Sequence, residues 1–395
     1  MPVLLATAGF LLVGLDGSVN IAFPAMSEAF GVGPTTIRWV ILWYVGTYAL
    51  TAFAAGVLAD RLGPGRVLRA GLVLSLVCFA AYAVAPSFGI FLLLRVLQGV
   101  SGGLIYGAAP ALVTLSLPSS RHAWGLGWAS MGLGLGLTVG PLIGGALVGA
   151  FGWRSVFLYR VPVAAALIAV AAWTRETRHD GRGAWRMVAP AEILRWPVLH
   201  AGLLAFLANY AQFAVWLLAP YYLVGERGLS AAAGGLLFLL TPLGTAIAAP
   251  VAARAADRWG RRGPMVIGLA AEAAGLFMAG RCGGSTPIGL VGSALALVGL
   301  GLGFFQVPNI AQAMAVFPPR QQGAAGGFAF LARTAGIVVG VQTTAWLFHS
   351  RAQVLGFLPA FRFAFAAAAA VCAIAALIAL LPGLARAPRA TRHEA

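Results

Sequence analysis

The chain has 395 residues, 61% of them hydrophobic and 9% charged. A soluble domain carries roughly 25% charged residues, so this composition excludes a water-soluble globular protein and calls for a surface facing lipid. The net charge of +16 does not mark a nucleic-acid binder, because the basic residues are scattered between long apolar runs and form no single patch.

A membrane-spanning helix needs about 20 mostly apolar residues. Twelve segments qualify, near residues 3–26, 37–58, 67–86, 88–116, 124–150, 155–174, 197–224, 231–254, 264–282, 286–314, 323–348 and 359–382. They fall into two groups of six around a polar stretch with five arginines and Pro190. The expected organisation is an N-terminal six-helix bundle (1–174), a linker (175–196), a C-terminal six-helix bundle (197–385) and a short tail (386–395). The first segment reads as a retained helix and not as a cleaved signal, since no basic residue precedes Arg38 and Asp16 interrupts the apolar run.

In the first segment, Asp16 lies at mid-span and Asn20 one turn beyond it. A charge at the bilayer centre costs about 2.5–3.5 kcal/mol on insertion scales, so one that is kept there usually faces a cavity and does work. A carboxyl balanced between burial and a neighbouring guanidinium can load and release a proton. Asp16 is therefore a candidate proton or cation site; a structural hydrogen bond to Asn20 or to a neighbouring helix is the other reading. The second segment ends in Gly56-Val-Leu-Ala-Asp60-Arg61-Leu-Gly63-Pro-Gly-Arg66. The fourth carries Arg95-Val-Leu-Gln98-Gly99-Val-Ser-Gly102-Gly103. Arg95 keeps its charge, so it would tune a carboxyl without titrating itself, or pair structurally to hold the first and fourth helices. The fifth is rich in glycine: Gly132, Gly136, Gly140-Pro141-Leu-Ile-Gly144-Gly145. Small residues let helices approach closely and Pro141 bends its helix; the choice is between a moving interface and ordinary membrane packing. Arg160 in the sixth reads as a snorkelling or structural residue as readily as a functional one.

The seventh segment offers Asn209, Gln212 and Trp216 beside Phe206, Tyr210 and Phe213; the tenth offers Gln306, Asn309 and Gln312. With Asn20 and Gln98, these could line an amphipathic substrate cavity, or they pack. The eighth ends in Ala253-Arg-Ala-Ala-Asp257-Arg258-Trp-Gly260-Arg261-Arg262, which repeats the A-D-R-x-G pattern of the second. Internal repeats of this kind are a transporter signature. Asp60 and Asp257 could each cap a helix N-terminus of the opposite half and pair with Arg, as a cytoplasmic gate that latches the outward-open state, or merely anchor a loop. Glu272 in the ninth is the second deep acid, a transport group or a packed helix contact, and Arg333 lies in the eleventh. The run Gly299 to Gly303 is apolar and intramembrane and is no nucleotide loop. A chain without Lys has no Gly-x-x-x-x-Gly-Lys motif. Cys78, Cys282 and Cys372 read as packing residues. No metal-ligand cluster, cofactor motif or nucleophile–base set is seen, so enzyme activity is not expected.

All 26 basic residues are arginine, which with abundant Ala and Gly points to a GC-rich, bacterial source. Seventeen arginines fall in one set of loops and the C-terminal tail. Six (Arg38, Arg154, Arg227, Arg281, Arg351 and Arg362) fall on the other side. The positive-inside rule then puts both termini and the linker in the cytoplasm of a bacterial inner membrane.

The Gly56–Arg66 stretch resembles the loop 2–3 motif of the major facilitator superfamily, with Pro64 and Gly65 in place of its usual basic pair. Arg95 to Gly103 is similar to the R-x-x-q-G-x-g motif of the fourth helix, which implies a role for Arg95 near proton transfer. Gly140 to Gly145 resembles the G-P-x-x-G-G motif of exporters, and Trp153-Arg154 with Phe157 and Pro162 resembles a drug-exporter pattern. Leu15-Asp16 through Pro24 resembles the L-D-x-T-x-x-N-x-A-x-P motif of drug:proton antiporters, one residue shorter between Asp16 and Asn20. The resemblance is closest in motifs to the fourteen-helix branch, although this chain has room for twelve. It implies a monomeric carrier of two pseudo-symmetric bundles that couples protons to export of hydrophobic or amphipathic small molecules. Deep acids would weakly favour cationic ones. A metabolite or sugar permease of the same fold, or a non-transporting receptor or scaffold, are the alternatives.

Overall fold

The computed structural model describes residues 1–118, 122–173, 195–314 and 322–381; at some helical positions, Asp60 among them, only the backbone is described. The polar linker and the C-terminal tail lie almost wholly outside these residues. Among the described residues the chain is helical, and eleven segments are long and apolar enough to cross a membrane. In chain order these are α1 (Pro2–Ile21), α2 (Pro34–Gly56), α3 (Pro64–Val84), α4 (Phe88–Val113), α5 (Met131–Phe151), α6 (Ser155–Trp173), α7 (Trp196–Glu226), α8 (Ala231–Trp259), α9 (Arg262–Arg281), α10 (Ile288–Ala313) and, last, α12 (Phe357–Ala379). The twelfth helix is α11 (Gln322–Leu355), 34 residues long. Several helices run past these spans: α2 continues to Leu62 and α5 begins at His122.

Proline opens many of the helices, at Pro2, Pro34, Pro64 and Pro197, where its missing N–H has no partner to lose. The two A-D-R-x-G repeats end α2 and α8 alike. Gly63 and Gly260 have φ of +89° and +78°, a region that costs other residues strain. One expectation fails in α1. The continuous helix expected over 3–26 is interrupted by a 3₁₀ turn at Leu15–Gly17 and restarts at Phe23–Phe30. Pro24 lacks the N–H that an unbroken helix would use, which explains the restart.

The packing repeats between the halves. Helices α2 and α3 both pack on α4, α1 on α5, and α3 on α6; likewise α8 and α9 pack on α10, α7 on α11, and α9 on α12. Small residues make the close approaches. Gly103 and Gly107 of α4 lie against the backbone of α2, and Gly299 and Gly303 of α10 lie against Thr241 and Thr245 of α8. The halves meet through α5 against α8, α2 against α11, and α1 against α7. At the end of the molecule away from the chain termini, Ser27 and Tyr221 share a buried hydrogen bond across the halves. There Gly145 of α5 also lies against Ala231 and Gly235 of α8. At the other end, the tips of α2 and α8 expose Leu62 and Trp259.

Candidate functional site

The break in α1 places Asp16. A 3₁₀ turn winds about 120° per residue against about 100° in an α-helix. It thus recovers part of the rotation lost by the one-residue-shorter spacing. Asp16 points into the N-terminal bundle, where Arg95 of α4 grips both of its carboxylate oxygens. Arg95 Nη1 donates to Oδ1 and Nη2 to Oδ2, each at 2.9 Å. Arg160 of α6 donates from Nη1 to Oδ1 at 2.9 Å, and Gln98 Nε2 to the same oxygen at 2.8 Å. Further bonds hold the donors: Arg95 Nε to Val40 O, Arg160 Nε to Val156 O, and Tyr82 Oη to Gln98 Oε1, all 2.9 Å. Arg95 stacks over Tyr44 at 4.3 Å and Arg160 over Phe79 at 4.6 Å. Charge-assisted bonds of this kind are the strong ones. The arginines are sealed (2% and 0% exposed), whereas Asp16 keeps 12% of its side chain exposed, so the acid is the member that can be reached from outside the cluster.

The glycine face of α5 holds this break in place. Gly136 packs against Leu11 and Gly14, Gly140 against Leu15 and Ser18, and Gly144 against Ser18; a Cβ on Gly144 would come within 2.8 Å of the Ser18 side chain. On the adjacent face, one residue round from Gly140 and Gly144, Gly145 faces α8 and the carbonyl of Pro141 faces Gly235. Helix α5 therefore touches the acid-bearing turn on one side and the opposite half on the other.

An aromatic ladder runs from the cluster along α2 and α4: Tyr44 on Tyr48 (5.8 Å), Tyr48 on Tyr106 (5.4 Å) and Tyr106 on Phe10 (4.8 Å). Arg333 is half-buried on α11, the helix that packs on α2 from the other half. These tyrosines carried no individual signal in the sequence beyond the i, i+4 spacing of Tyr44 and Tyr48 on one helix face.

The expected site residues fall into three settings. Asp16, Arg95 and Gln98 come together, and Arg160 joins them. Glu272 does not: it is fully buried in the C-terminal bundle, its backbone against Gly301 of α10, and among the described residues neither carboxylate oxygen has a hydrogen-bond partner. In the expected cavity set, Asn209 and Asn309 are buried. Their amides donate to Ala205 O (2.8 Å) and Ala201 O (3.0 Å), and among the described residues their carbonyls are unpartnered. Trp216 Nε1 is unpartnered too, with its ring edge-on to Phe238; Gln212 is buried. Asn20, Tyr210 and Gln306 are partly exposed, and Tyr210 Oη accepts from Thr343 at 2.8 Å. In the expected gate, Gly56 is half-buried and Arg61, Arg66, Asp257 and Arg258 are exposed, while the Asp60 side chain lies outside what is described.

A lipid-facing helical fold with twofold repeated packing, an acid clamped at a helix break and two halves closed at one end defines a multi-pass membrane carrier. The profile of the Major Facilitator Superfamily matches residues 5–200 and again 201–395, and the chain belongs to that family. It is similar to the drug efflux pump JefA of Mycobacterium tuberculosis (26% identity, 88% of this chain and 81% of that one). It is equally similar to the tetracenomycin C resistance and export protein of Streptomyces glaucescens (26% identity, 89% and 76%). Among solved structures, a bacterial homolog of the human lysosomal transporter Spinster, inward-facing and occupied, superposes with a TM-score of 0.80 at 15% identity, covering 96% of this chain and 95% of that one.

Proposed function

We propose that this protein is a proton-coupled exporter of hydrophobic or amphipathic small molecules that works by alternating access, with Asp16 as its coupling acid. The observation that carries the reading is the clamp on Asp16. Protonation removes the negative charge that Arg95 and Arg160 both answer, so loading the carboxyl loosens α1 from α4 and α6. Helix α5 packs on that same turn and on α8, and can pass the rearrangement to the opposite half. Drug efflux and antibiotic export by the relatives at 26% identity support the outward direction.

The halves are closed at the end away from the termini, and Asp257 is exposed at the tip of α8 at the other end. With cytoplasmic termini this is an inward-facing carrier, able to collect substrate from the cytoplasm or the inner leaflet. The weak preference for cations expected from deep acids loses its basis. Asp16 is answered by two arginines, and Glu272 is sealed in its bundle. We assign instead a neutral, aromatic or amphipathic substrate, packed against the tyrosine ladder and the side-chain carbonyls of Asn209 and Asn309 on α7 and α10.

The test is dye or antibiotic efflux from cells expressing the protein. Asp16→Asn should abolish uncoupler-sensitive efflux, and Glu272→Gln should retain it. Efflux that survives Asp16→Asn and ignores an uncoupler would sink proton coupling through Asp16.

A further inference from the structure

Six arginines lie at the end of the molecule away from the termini, where positive charge is disfavoured in short loops. Two of them are loop staples: Arg227 donates to Gly283 O (3.0 Å) and Thr286 O (2.7 Å), and Arg154 donates to Ala85 O (3.4 Å). Three others gather at one place. Arg281 is the last residue of α9, Arg362 lies in the first two turns of α12, and Arg351 lies near the end of α11. Arg281 and Arg362 edge a groove of about 280 Å³ that is otherwise lined by Phe277, Gly280, Phe363 and Ala366. Arg351 stacks over Phe363 at 3.2 Å, and Arg281 over Phe277 at 5.8 Å. Arg281 and Arg362 are exposed, and among the described residues none of the three has a carboxylate within ion-pair distance.

We propose that this groove binds an anionic glycerophospholipid of the leaflet that faces away from the chain termini. The groove opens on the outer flank of the C-terminal bundle, between two spanning helices and at the level where α9 ends. A lipid headgroup therefore sits at this depth, and an acyl chain continues along the apolar wall toward Ala366. Guanidinium forks match phosphate geometry, and no acid opposes them. Charge at one end of the groove and aromatic surface at the other fit an amphiphile held in the bilayer. A soluble anion would use only the charged end. The site lies apart from the Asp16 cluster and does not depend on the transport reading.

Native mass spectrometry of the purified, delipidated carrier titrated with dioleoylphosphatidylglycerol tests this. The wild type should retain one lipid, and Arg281→Gln/Arg362→Gln should weaken retention about tenfold or more. The Arg281→Lys/Arg362→Lys pair, which keeps the charge and loses the fork, should fall between the wild type and the glutamine pair. Dioleoylphosphatidylcholine should bind all three alike, and glycerol 3-phosphate should fail to displace the bound lipid. Both arginines are exposed, so the glutamine pair should melt with the wild type. Three results would overturn the proposal: unchanged retention in the glutamine pair, an equal loss in Arg38→Gln elsewhere on this end, or displacement by glycerol 3-phosphate.

Discussion

At the scale of the residue, the cluster carries two guanidiniums and one carboxylate, and that imbalance decides what each substitution does. Removing one partner of a buried pair costs about 3–5 kcal/mol, because the other charge is left uncompensated. Asp16→Asn leaves Arg95 and Arg160 facing each other with no counter-charge, so it should lower stability by that order. Arg160→Gln leaves the Asp16–Arg95 pair, which is neutral, and should cost less. The double variant Asp16→Asn/Arg160→Gln should then melt above Asp16→Asn alone, with thermal unfolding in detergent as the measurement. The reverse order would mean that Arg160 does not pair with Asp16. Asp16 and Arg95 were legible in the sequence because a charge in a bilayer span needs a reason. Arg160 was not, since snorkelling explains a lone arginine near a helix end equally well. What separates the readings is its rotation about α6, which one span's composition does not encode.

At the scale of the element, α5 is the part that cannot change. Its glycines lie so close to α1 and α8 that a side chain must push a helix away. Gly144→Val would press on Ser18 beside the acid-bearing turn, and Gly145→Val would wedge α5 from α8 at the closed end. Both variants should keep the helical circular dichroism of the wild type, since overpacking costs about 1–3 kcal/mol at one contact. Efflux should fall by roughly tenfold or more, because a displacement of about 1 Å at a working site costs far more in rate than in stability. Gly134, with nothing near its missing Cβ, is the control: Gly134→Ala should transport normally. The glycine pattern marked α5 in advance as a helix that packs closely on its neighbours. It could not say that one face serves α1 and the adjacent face α8, since both partners come from elsewhere in the chain. The 3₁₀ turn at Leu15–Gly17 was hidden for a related reason: its sequence is apolar and small on every side but Asp16, and only the packing against Gly136 and Gly140 shows where the helix tightens.

At the scale of the whole molecule, the repeat was legible from two A-D-R-x-G loops, and the packing repeats helix by helix as well. The halves do not repeat in chemistry: the Asp16, Arg95 and Arg160 cluster belongs to the N-terminal bundle, and Glu272 in the other has no arginine bonded to it. If Asp16 couples transport as proposed, taking one proton per cycle, transport should respond to each component of the proton gradient in a defined way. A proton crossing about 100 mV releases about 2.3 kcal/mol, and a one-unit pH difference adds about 1.4 kcal/mol. With a neutral substrate exchanged one for one, the cycle moves net charge and both components drive it. The potential alone should then sustain a substrate gradient of about fiftyfold, the pH difference alone about tenfold, and the two together several hundredfold. With a monovalent cationic substrate the same exchange is electroneutral, and the potential should contribute nothing. Proteoliposomes in which potential and pH difference are imposed separately decide between these. Accumulation driven by a potential at equal pH is the outcome expected from a carboxylate whose charge two arginines already answer, and a response to the pH difference with none to the potential would return the substrate to the cationic class.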